Sequence, residues 1–91
     1  MRLTLITLTG TGHPPPHGLQ APLLVDLLWA AATPADRVEH VSARAGPGHI
    51  DLGVYTRAPY GESARAAVAV VRRALALNSS LRGWALTRVR E

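Results

Sequence analysis

The 91-residue chain has no cysteine, no lysine and no phenylalanine. Without cysteine, disulfides, thiolate metal sites and cysteine nucleophiles are all excluded, which removes several enzyme classes at once. Without lysine, all ten basic residues are arginine. Together with abundant alanine, this looks like GC-rich coding more than selection for guanidinium forks, so arginine number alone says little about a partner. Long apolar runs are missing too. Nothing approaches the ~20 residues that span a bilayer, and no basic region precedes an apolar stretch at the N-terminus. The expectation is a cytoplasmic protein with no membrane partner.

Hydrophobic residues make up 47% of the sequence and charged residues 18%, which places the chain among globular proteins and not disordered ones. Its length suits a single domain, residues 1–91, that buries only about 60 to 65% of its unfolded surface. The formal charge of +4 favours an anionic partner in principle. The arginines are scattered, however, and read as ordinary solvated charge before they read as a nucleic-acid surface.

Residues 2–9, RLTLITLT, are β-branched and aliphatic and stop at Gly10, which predicts a first strand. After a proline-rich loop, Leu23, Leu24, Leu27, Leu28 and Ala31 recur at helical spacing. Pro22 suits the first turn of that helix, and Thr33-Pro34 should end it. From Arg37 the period changes to two across RVEHVSARA, GPG and HIDLGVYTR, a hairpin. With Ala45 and Gly48 flanking the turn, Arg44 pairs with His49, Ser42 with Asp51, His40 with Gly53 and Val38 with Tyr55. That register separates a polar face from an apolar one. A second helix follows in ESARAAVAVVRRALALN, with Ala64, Val68, Val71 and Leu75 on one stripe and Arg65, Arg72 and Arg73 largely away from it. Asn78 is the expected C-terminal stop. The closing LRGWALTRVR reads as a charged edge strand.

The order is β-α-β-β-α-β, which is similar to the split βαβ arrangement of ferredoxin-like domains. The similarity implies an α+β fold: a four-stranded antiparallel sheet, strands one and three central, with two helices on one face. It does not imply a function. On the open face the hairpin offers Arg44, Ser42, His40, His49, Asp51 and Tyr55. In the first strand Leu3 and Leu5 point one way while Ile6 and Leu8 point the other, so either a bulge re-phases it or both its faces are apolar. The last strand repeats the ambiguity, with Trp84 and Leu86 on one side and Ala85 and Val89 on the other.

Three chemical readings compete. The loop GTGHPPPHG invites a metal clip, but in polyproline II geometry His13 and His17 stand ~12 Å apart and ~120° out of phase. Two imidazoles on one zinc need nitrogens only ~3 Å apart, and the cis proline that would fold the loop back occurs in only ~5 to 6% of X–Pro bonds. Neither glycine-rich phosphate pattern is present, and three prolines supply no N–H donors. In the proposed register His40 lies diagonal to Asp51, so a carboxylate-oriented general base is conceivable, with Tyr55 beside it. RNA binding on a sheet face calls for stacking aromatics on the central strands, where only Tyr55 is found.

No motif points to a catalytic centre, a cofactor or a bound metal. The expected role is a small non-enzymatic interaction or regulatory module, working through the open sheet face or the proline-rich loop 10–20 on a protein partner or on itself. Binding candidates are His13, His17, Arg44, His49, Tyr55 and Trp84. The alternative is a homodimeric α+β barrel enzyme or small-ligand binder, with His40, Asp51, Tyr55 and Trp84 in a cavity between two sheets. A third option is an anion or nucleic-acid binder using Arg44, Arg57, Arg82 and Arg88.

Overall fold

A computed structural model describes residues 1–11, 20–59 and 61–91. Four strands and two helices follow in the order β1 (Arg2–Gly10), α1 (Ala21–Ala31), β2 (Val38–Gly46), β3 (His49–Thr56), α2 (Glu62–Leu77) and β4 (Trp84–Arg90). Two short 3-10 turns, Pro34–Asp36 and Ser79–Leu81, link α1 to β2 and α2 to β4. The strands form one antiparallel sheet in the order β2-β3-β1-β4, so β3 and β1 are the inner strands. No described helix is long and apolar enough to cross a membrane.

The core lies between the sheet and the two helices. Ile6 and Leu8 of β1 and Ile50, Leu52 and Val54 of β3 meet Leu24 and Leu28 of α1 and Val70, Val71 and Ala74 of α2. The buried stripe of α2 runs through Ala67, Val70, Val71 and Ala74, with spacings of three and four. The expected stripe is therefore rotated: Val68 and Leu75 are partly buried flanks and Val71 alone is fully enclosed. Small residues at positions 67 and 74 let the helix approach the sheet closely. Arg73 is drawn into the structure, where its Nη1 donates to the Ala31 carbonyl at 2.6 Å and to Asp36 Oδ2 at 3.1 Å. The helix stops at Asn78, whose side-chain amide donates back to the Ala74 carbonyl.

The hairpin forms in a different register from the expected one. Gly46 faces His49, and the two turn residues are Pro47 and Gly48. Gly48 has φ +72°, a region that costs a side-chain-bearing residue energy, while proline suits the preceding position of such a turn. The shift is two residues, so from His40 to Gly46 each side chain keeps its face and only its cross-strand partner changes, whereas Val38, expected on the polar face opposite Tyr55, turns to the core side. Glu39 is an extra residue in β2, between Val38 opposite Thr56 and His40 opposite Tyr55.

The bulge that resolves the apolar ambiguity lies in β4. Thr7 faces Arg88 and Leu8 faces Leu86, leaving Thr87 as the extra residue. The bulge returns Val89 to the helix side, opposite Ile6, and sends Arg88 and Arg90 to the open face. β1 is not re-phased: Thr4, Ile6 and Leu8 are buried, while Leu3 and Leu5 remain 36% and 39% exposed on the other side.

Candidate functional site

Cross-strand pairing lays the open face out as a grid of four rows, each crossing the sheet from β2 through β3 and β1 to β4. At one end Gly46, His49, Thr9 and Ala85 lie abreast, followed by Arg44, Asp51, Thr7 and Arg88. Then come Ser42, Gly53, Leu5 and Arg90, and finally His40, Tyr55 and Leu3. The grid follows from the period of two in each strand, with the Thr87 bulge setting the β4 column.

A shallow trough of about 350 Å³ sits in this face, lined among others by Leu3, Leu5, Ser42, Gly53, Tyr55 and Arg90. Its floor is Gly53. A Cβ there would fall 2.7 Å from Ser42 Oγ and 3.3 Å from Leu3 Cδ1, so the missing side chain opens the trough and lets its walls close in. An isolated glycine inside a strand pattern is a signal of close approach, and it is the clue by which sequence reasoning could have found this spot. Arg90 and Thr7 also border the trough, and neither was foreseen as a site residue.

The foreseen residues divide. Arg44, His49, Asp51, Tyr55 and His40 all share the open face. Trp84 does not, because it packs against the core on the helix side, opposite Gly10. Its half-buried indole therefore takes no part in a site between sheets, and its Nε1 has no hydrogen-bond partner among the described residues. His13 and His17, with most of the proline-rich loop, lie outside the described residues. Arg57 is engaged elsewhere, its Nε 2.6 Å from Glu39 Oε1.

The expected His40–Asp51 pairing is undone by the register. His40 stands opposite Tyr55, their ring centroids 5.4 Å apart, and Asp51 lies two rows away, about 13 Å along the strand. Asp51 instead accepts a hydrogen bond from Thr7 Oγ1 at 2.9 Å and faces His49 Nε2 at 3.7 Å. His49 is held by the hairpin itself, with Nδ1 3.1 Å from the Pro47 carbonyl. A carbonyl only accepts, so Nδ1 carries the proton, and a neutral ring has no hydrogen on Nε2 to give Asp51. The ring lies over Gly46, where a Cβ would meet Cε1 at 2.6 Å. These contacts anchor His49 as part of the turn.

The charge on the face is lopsided. Arg44, Arg88 and Arg90 face outward with a single carboxylate, Asp51, a surplus of two positive charges with the histidines neutral. None of the three arginines forms an ion pair among the described residues. Among the described residues no three His, Asp or Glu side chains cluster as a metal site. Away from the face, Asp36 is the one ionisable side chain buried among the described residues. Burial raises its pKa most strongly of any single influence, yet hydrogen bonds from Thr33 and the Arg73 guanidinium together hold the carboxyl below the ordinary aspartate value. The Thr33-Pro34-Ala35-Asp36 sequence is a capping box that sequence reasoning passed over. Compared with known protein families, with curated proteins and with solved structures, the chain matches none of them.

Proposed function

We propose that this chain is a small non-enzymatic interaction module of ferredoxin-like topology whose working surface is the open face of the sheet. The element order and the two inner strands, β3 and β1, support the topology. One observation carries the functional reading. Leu3 and Leu5, on an inner strand, stand exposed beside a trough floored by glycine, on the face that neither helix covers. Apolar side chains at the middle of an uncovered sheet mark a surface that another molecule completes. The polar groups around them suit recognition better than turnover, since His40 and Asp51 are far apart and Asp51 and His49 are already engaged.

The test is photo-cross-linking in cells, with the cross-linking side chain placed at Ser42 on the face or at Arg65, exposed on α2. Adducts arising from position 42 alone, and lost on Leu5→Glu, are expected. No adducts from position 42, or equal yields from both positions, would overturn the reading. A second reading draws on the trough itself, a concavity that a second copy would close into a cavity as in a dimeric α+β barrel. The surplus positive charge on the face works against that arrangement.

A further inference from the structure

The trough over Gly53 has unpaired positive charge on both sides, and that combination specifies what fits it. Arg44 rises from β2 on one flank, and Arg88 and Arg90 rise from β4 on the other. Between them lie Leu5, Leu3 and the bare Gly53 backbone. We infer that the open face binds an extended acidic segment of a partner protein, in which two carboxylates flank one large apolar side chain with the spacing Glu-x-Φ-x-Glu, Φ being any large apolar residue. This rests on the proposed role of the face as the interaction surface, and adds the chemistry of its occupant.

The spacing follows from sheet geometry. From β2 to β4 there are three interstrand steps of ~4.8 Å, about 14 Å in all. In an extended segment alternate side chains point the same way and each residue advances ~3.4 Å, so residues i and i+4 share a side and lie ~14 Å apart. A segment laid across the strands therefore sets one carboxylate over Arg44, its central apolar side chain into the Gly53 trough against Leu5, and the second carboxylate at Arg90 and Arg88. Guanidinium groups favour carboxylates because their planar forks match two oxygens at once.

Other occupants fit less well. In a second copy packed sheet to sheet, the two surplus charges of each face would meet across ~10 Å, about one Debye length at ~0.1 M salt, and would be only partly screened. A small carboxylate would lie in an open trough, whereas small-molecule sites bury about 70 to 90% of their ligand. A segment spanning all four strands gains its contact area along its own length.

The experiment uses the full chain, isotopically labelled, titrated with the peptide Gly-Glu-Ser-Trp-Ser-Glu-Gly while backbone amide shifts are followed. Shifts centred on Leu5 and Gly53 and extending to Arg44 in β2 and Arg88 and Arg90 in β4, with the helices unaffected, are expected, with affinity falling as salt is raised. Replacing the peptide's tryptophan by alanine should weaken binding roughly tenfold. Arg44→Gln and Arg90→Gln, both at exposed positions, should each weaken it about threefold to fivefold. Equal binding of the peptide with glutamine in place of both glutamates would overturn the acidic specificity and leave the open-face reading standing. A mass by light scattering of twice 9.7 kDa, returned to one chain by Leu5→Glu, would replace the acidic segment with a second copy. Absence of shifts on the face while Ser42 still cross-links to a partner sinks this inference alone. Absence of both sinks the open-face reading with it.

Discussion

At Asp36 two influences pull against each other. Burial favours the neutral acid, while the Thr33 amide and hydroxyl and the Arg73 guanidinium favour the carboxylate, and the second group prevails. A carboxyl whose pKa is lower in the folded than in the unfolded chain stabilises the fold above the unfolded value, and that contribution is lost as pH falls through the folded value. With an unfolded aspartate near pKa ~3.9, the loss begins below about pH 4. Chemical denaturation followed from pH 6 downward should therefore show a fall in this window that Asp36→Asn reduces. At neutral pH the same substitution should cost about 1 kcal/mol, through the weakened cap and the loss of charge opposite Arg73. An unchanged acid profile in the variant would mean that other carboxylates carry the effect. This site was half legible in the sequence. Thr-x-x-Asp before a period-two run is a local capping pattern, but that Arg73 would close over it, 37 residues on, depended on how α2 packs.

Among the elements, β1 and β4 show where periodicity informs and where it misleads. Alternation within β1 divides Leu3 and Leu5 from Ile6 and Leu8 correctly, because a strand's two faces are set by its own backbone. In β4 the same rule fails at Thr87, since a bulge inserts one residue and reverses the alternation beyond it. No residue type in TRVR announces that bulge. It places Val89 on the helix side opposite Ile6, where it stays 39% exposed, and keeps two arginines on the open face, an arrangement that is defined only once β1 is alongside. Deleting Thr87 should force Arg88 or Arg90 toward the core side. The expected outcome is loss of hydrogen-exchange protection in residues 88–90 and a melting temperature lower by roughly 5 °C or more, equivalent to about 1 kcal/mol for a domain this size. Retained protection at these amides would show that the strand tolerates the slip. The hairpin turn was settled more locally: a proline followed by a glycine that takes φ +72° selects the tip, and with it the pairing of His40 with Tyr55.

For the molecule as a whole, one face of the sheet holds the fold together and the other is left uncovered by the helices. Ile6 and Leu5 are adjacent in sequence, yet Ile6 is 1% exposed and Leu5 39% exposed. Ile6→Ala should lower stability by about 2–5 kcal/mol and the melting temperature by roughly 10 °C or more. The double substitution Leu3→Ser, Leu5→Ser should leave the melting temperature within a few degrees of the parent, measured by calorimetry. A large loss in the double variant would mean that the open face is part of the stabilising structure and not a free surface. The sequence by itself determined the element order, the faces of the hairpin side chains from His40 to Tyr55 and the apolar character of both sides of β1, because these follow from periodicity and the stereochemistry of glycine and proline. Only the tertiary structure decided which side chains meet: that Trp84 joins the core, that Val38 turns to the core side, and that Gly53 opens a trough between arginines contributed by β2 and β4. Those outcomes turn on register and bulges, where a displacement of one or two residues changes every cross-strand neighbour while leaving the local pattern almost untouched.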